Sequence, residues 1–187
     1  SGFFDNPVVD RDGKFRRVPL FQSDQGQLFP SLALSVTQQA LDNPELDIQM
    51  VQQGEYLAIT SIQLGHRVVN TDQGGAVQIP FRGGEGSFPY ISVADILKHR
   101  PPIEQLKGKI ILLGTSAPGL LDLRSTPVDE SMPGVEVHAN IIAGILDQNI
   151  PQQPAYLIAV QSLGYLILGL FLLITPNCVI FSLSFAV

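Results

Sequence analysis

The chain has 187 residues, 11 basic and 17 acidic side chains, a net charge of −6 and a single cysteine. That acidic balance excludes a nucleic-acid partner, which needs a basic stripe, and disfavours a face pressed on anionic lipid. One cysteine, Cys178, excludes an internal disulfide and a thiolate metal cluster.

From the amino end, GFFDNPVVDRDGKFRRVPLF reads as two extended runs around the turn signal Asp10-Arg11-Asp12-Gly13. FPSLALSVTQQAL predicts a helix, with Pro30 in its first turn and Leu32, Val36 and Leu41 on one side. Asn43-Pro44 stops it. YLAITSIQL, HRVVNT and AVQIPF read as short strands, the last ending in the glycine-rich loop Phe81-Arg82-Gly83-Gly84. SFPYISVADILKHR gives a loop and then a helix capped by Ser92.

PPIEQLKG is a short helical element, and KIILLG (Lys109–Gly114) is an apolar run without alternation. Such a run suits a strand covered on both faces, as in a parallel sheet. A long Pro/Gly/Ser loop follows, and GVEVHANIIAGIL then predicts an amphipathic helix with Val135, Ala139, Ile142 and Leu146 on one stripe. The order of strand, loop and helix predicts an α/β fold, with a mixed, mostly parallel sheet and flanking helices.

Charge ends at Asp147; from Gln148 onward there is no Asp, Glu, Lys or Arg. AYLIAVQSLGYLILGLFLLI (Ala155–Ile174) is about 20 residues, and as a helix it reaches roughly 30 Å, the depth of a bilayer's hydrocarbon layer. An interfacial helix would need a basic polar face, which is missing, so this segment predicts a transmembrane helix. Thr175-Pro176-Asn177-Cys178 predicts a break, with a second, truncated span returning from Val179. The expected divisions are a soluble unit over 1–154, a membrane helix over 155–174, and a turn with the start of another span over 175–187. The opening Ser-Gly-Phe-Phe carries no leader, so an export segment is expected upstream.

The blocks SFPYISVADIL, LKGKIILLGTSAPGLLDLRSTPV and MPGVEVHANIIAGIL, in that order, resemble the CHASE type 2 domain, a sensory module of bacterial receptors. DRDGKFRRVPL and FPSLAL are similar to it too. That family usually carries an N-terminal membrane helix and a Trp-Pro-Trp-Pro-Arg-like stretch. This chain has no Trp, so the resemblance covers the later part of the module and its membrane hairpin. The resemblance implies a domain outside the bacterial inner membrane that signals through its spans to a cytoplasmic effector. Such an effector would be a nucleotide cyclase, a kinase or a diguanylate cyclase, none of which lies in this chain. The partners it implies are the lipid bilayer and an unidentified small-molecule or protein stimulus, and a second copy of the chain is a candidate partner.

Candidate ligand-binding residues come from the loops. Gly114, Thr115 and Ser116 offer backbone N–H groups and hydroxyls where KIILLG ends, and Asp122 and Arg124 offer charge. Arg82, followed by two glycines, could meet an anion, and His138 lies on the last helix of the soluble part. The order Ser116, Asp122, His138 matches that of an α/β-hydrolase, but Pro118-Gly119 makes a loop where a nucleophile needs a helix. No catalytic residue is therefore assigned. Glu136 and Asn140 share a helix face and are expected to hydrogen-bond helix to loop. His66 and His99 sit in unrelated segments, so neither metal nor cofactor is expected. The rival reading is a membrane-anchored structural or dimerisation module that binds no small molecule.

Overall fold

The computed structural model describes residues 2–4, 8–54, 56–115, 122–152 and 156–184. It divides into two units, Ser1–Gln152 and Gln153–Val187.

In the first unit, the Asp10–Gly13 turn closes as expected, with Gly13 N donating to Asp10 O over 2.9 Å. Strand β1 (Arg17–Pro19) pairs with β7 (Ala76–Gln78), and β2 (Phe21–Asp24) pairs with β3 (Gln27–Pro30). The β2–β3 hairpin turns on Gln25 and Gly26, at φ 48° and 80°. Two left-handed residues in a two-residue loop give the turn that matches strand twist. Helix α1 (Leu32–Ala40) starts two residues beyond Pro30, which ends β3 instead of opening the helix, and the Ser31 hydroxyl accepts from Leu34 N.

Strands β4 (Leu46–Gln53), β5 (Tyr56–Leu64) and β6 (Arg67–Asn70) form a three-stranded sheet in that order. Helix α2 (Val93–Leu97) is capped by Ser92, and a single 3-10 turn follows at Ile103–Gln105. Strands β8 (Leu123–Arg124) and β9 (Met132–Pro133) form a small clip, and helix α3 (Gly134–Leu146) leaves directly from β9. The core joins Val18 and Leu20 to Leu34 of α1, Ile62 and Leu64 of β5, and Val137, Ile141 and Ile145 of α3. The buried face of α3 is thus turned from the expected stripe: Val135, Ala139 and Leu146 are half-buried.

Two expectations about the sheet are corrected. The four sheets are antiparallel, and among the described residues parallel pairing is confined to the isolated bridge Phe3–Ser31. The hairpins β2–β3 and β5–β6 close through two-residue turns, whereas parallel neighbours need a long crossover. KIILLG forms no strand: Leu112 packs against the core, but Ile111 and Leu113 are 60% and 82% exposed. Apolar β-branched residues favour a strand only where another strand supplies the ladder, and none reaches Ile110–Gly114 among the described residues.

The second unit is helix α4 (Tyr156–Ser184), 29 residues long. It continues through Thr175–Cys178, where a break was expected. Pro176 removes one helical hydrogen bond and crowds the carbonyl four residues back, and long apolar helices absorb such a loss by local adjustment.

Candidate functional site

Helix α3 carries the polar side chains that organise the surrounding loops. Glu136 is 2% exposed, yet its carboxylate accepts from Gly86 N at 3.2 Å, Phe88 N at 3.3 Å and Tyr90 Oη at 2.6 Å. Asn140, fully buried one turn on, accepts from Arg82 N at 3.0 Å and donates to Glu136 O at 2.9 Å. A buried carboxylate is tolerable only with donors on both oxygens, and here the loop backbone supplies them. Tyr90 is affected in turn: burial and then the Glu136 carboxylate push its phenol well above the ordinary range. The expected tie between helix and loop is present.

Beside the first turn of α3 lies a cavity of about 260 Å3, and it gathers four of the residues singled out from sequence: Gly114, Asp122, Arg124 and His138. Phe4, Leu32, Leu113, Val135 and Val137 complete its apolar wall. Close approach of backbones builds it. A Cβ on Gly114 would stand 2.5 Å from Val135 Cβ, and one on Gly134 would strike the Asp122 carboxylate. Gly134 N also donates to Asp122 O at 2.7 Å, which locks the 122–124 segment onto the start of α3.

Asp122 and Arg124 stand 3.7 Å apart, at the outer limit of an ion pair, with side chains 37% and 26% exposed. The Arg124 guanidinium also lies over the Phe15 ring, 5.5 Å from its centroid. His138 Nε2 is 3.3 Å from the Phe4 carbonyl oxygen. A carbonyl only accepts, so this contact requires the hydrogen on Nε2. Burial then lowers the His138 pKa, opposed by the Phe4 contact and by Asp122, and the ring is neutral at pH 7.

The remaining sequence candidates lie elsewhere. Thr115 is exposed and outside this cavity. Ser116 lies outside the described residues, as do Pro118 and Gly119. Arg82 belongs to a separate cavity of about 550 Å3, where its guanidinium pairs with Asp147 and covers the Phe88 ring at 5.3 Å. The anion that Arg82 meets is therefore one of the chain's own. Among the described residues, no three His, Cys, Asp or Glu side chains are placed to hold a metal.

A set of contacts that sequence reasoning missed holds the segment after α3. Asn149 N donates to Gly144 O at 2.8 Å, Ile150 packs on the core, and Asn70 Nδ2 donates to Gln152 Oε1 at 2.9 Å. With Arg82–Asp147, these strap residues 147–152 to the folded unit. The signal available was the stiff Ile150-Pro151 pair, but its docking partners are distant in sequence.

The model of the CHASE2 domain matches residues 1–176, and the chain belongs to that family of sensory domains. No curated protein and no solved structure shows significant similarity to it.

Proposed function

We propose that this chain is the extracytoplasmic signal-input domain of a bacterial receptor, held at the inner membrane by α4. A stimulus acts on the folded unit and reaches a cytoplasmic effector through the membrane helix. One observation carries this reading: Tyr156–Leu173 has a mean hydropathy of 2.0 and is entirely unburied. A helix of that length with no charge and no protein cover has its solvent in lipid. Family membership supports the sensory part.

The strap over 147–152 suits the passage of a displacement toward α4. A stimulus can shift the unit between arrangements only to the extent that it binds one of them better. Replacing residues 150–154 with a longer Gly/Ser linker should then abolish the response while leaving stimulus binding intact. Sidedness is tested by placing a cysteine at exposed Lys107 in a Cys178→Ser background. A membrane-impermeant maleimide should label it in intact cells. Labelling only after permeabilisation would place the domain in the cytoplasm and remove the reading.

The second reading, an assembly module without a small-molecule ligand, has its own support in the exposure of Ile111 and Leu113, at 60% and 82%. Sedimentation of the whole chain in nanodiscs tests it: a stable dimer broken by Ile111→Lys would favour assembly over ligand sensing.

A further inference from the structure

We propose that the cavity beside the first turn of α3 binds a small aliphatic zwitterion, its ammonium on Asp122 and its carboxylate on Arg124. This deepens the sensory reading and rests on it for the ligand's role, though not for the ligand's binding.

Charge is the first argument. The wall carries one acidic and one basic group 3.7 Å apart. A simple anion would face Asp122 as well as Arg124, and a simple cation the reverse, so either gains one contact and suffers one repulsion. A molecule bearing both charges satisfies both groups. The resident pair is weak enough to be opened, since a part-exposed ion pair at its distance limit contributes little. Arg124 lies on β8 and Asp122 directly precedes that strand, where Gly134 N holds its carbonyl to α3, so their spacing is preset.

The remaining wall decides what the rest of the ligand is. Leu32, Leu113, Val135 and Val137 offer only hydrocarbon, and the neutral His138 ring is engaged with Phe4 O. A branched aliphatic group fits this lining; a second charged group finds no counterpart there. At about 260 Å3 the cavity falls below the ~300–1,000 Å3 of sites that take drug-sized ligands, which limits the occupant to amino-acid dimensions.

The test is calorimetric titration of the whole chain in nanodiscs with L-leucine, with isocaproate, which lacks the amine, and with isoamylamine, which lacks the carboxylate. Leucine should bind, and each analogue should bind about tenfold or more weakly, because each leaves one charged wall group without its partner. Asp122→Asn and Arg124→Gln should each weaken leucine by about the same factor. The analogue series needs no substitution, so it decides even if a variant misfolds. Equal binding of leucine and either analogue, or no heat from leucine at millimolar concentration, would overturn the proposal. Hydrogen exchange over residues 147–152 is read on the same samples. Leucine binding without any change there would leave the zwitterion site standing and remove the sensory reading.

Discussion

Tyr90 donates its phenol hydrogen to Glu136 over 2.6 Å, joining an exposed loop residue to a carboxylate that is 2% exposed. With Gly86 N and Phe88 N on the same carboxylate, this contact fixes the loop between Arg82 and Tyr90 on α3. Glu136→Ala leaves these donors without their charged acceptor and should cost about 2–3 kcal/mol in urea denaturation. Tyr90→Phe should cost about 1 kcal/mol or less, since its ring is half in solvent. Glu136→Gln should bring the Tyr90 phenol part of the way back toward its ordinary pKa, read by ultraviolet absorbance in alkali. Only part returns, because burial is the larger cause.

Gly144 lets α3 approach both Pro80 and the strap. A Cβ there would collide with Pro80 Cγ and come within 2.8 Å of Ile150 Cδ1. Overpacking of this kind costs about 1–3 kcal/mol, while alanine's helix preference returns up to about 1 kcal/mol. Gly144→Ala should therefore lower stability, by up to about 3 kcal/mol on these figures. It should also raise hydrogen exchange over residues 149–152, as Ile150 is displaced. Unchanged exchange with lowered stability would mean that the strap is held by its hydrogen bonds alone.

His138 gives the folded unit a dependence on acid. Its folded pKa lies below the unfolded value, chiefly through burial, against the opposing influence of the Phe4 carbonyl and Asp122; Arg124 adds to the lowering. The unfolded chain therefore binds the proton more readily. Stability is retained above the unfolded histidine value of about 6.5 and lost as pH falls below it toward the folded value. The loss cannot exceed about 1.4 kcal/mol per pH unit for one proton. Denaturation midpoints between about pH 7.5 and about pH 5, across the histidine range, should fall less steeply in His138→Gln than in the unmodified chain.

Sequence and structure part company where partners are remote. Helices α2 and α3 were legible because the Ser92 cap and the periodic apolar residues of α3 act locally, whereas the Ser31 cap of α1 was passed over for Pro30. The grouping of Asp122, Arg124 and His138 was hinted at by loop chemistry, but nothing in spacing tells that Phe4 closes the same cavity. Strand β4 escaped notice because its Leu46, Ile48 alternation is broken by the irregularity at Gln49/Met50, after which Met50 and Val51 turn outward. The β2–β3 hairpin uses Gln25-Gly26 instead of the usual Asn-Gly, a weaker local signal. KIILLG misled for the opposite reason. Its composition states a preference for a sheet interior, and composition alone cannot supply the neighbouring strand.

The membrane tether underlies the receptor reading, and flotation with lipid vesicles tests it most directly. Mixed with neutral vesicles in high salt, the whole chain should float with the lipid and resist alkaline extraction. The double substitution Leu163→Lys and Leu166→Lys, at about 2.5–3.5 kcal/mol per lysine in mid-membrane, should release it. A chain that instead stays dissolved without detergent and sediments apart from the vesicles would contradict the account.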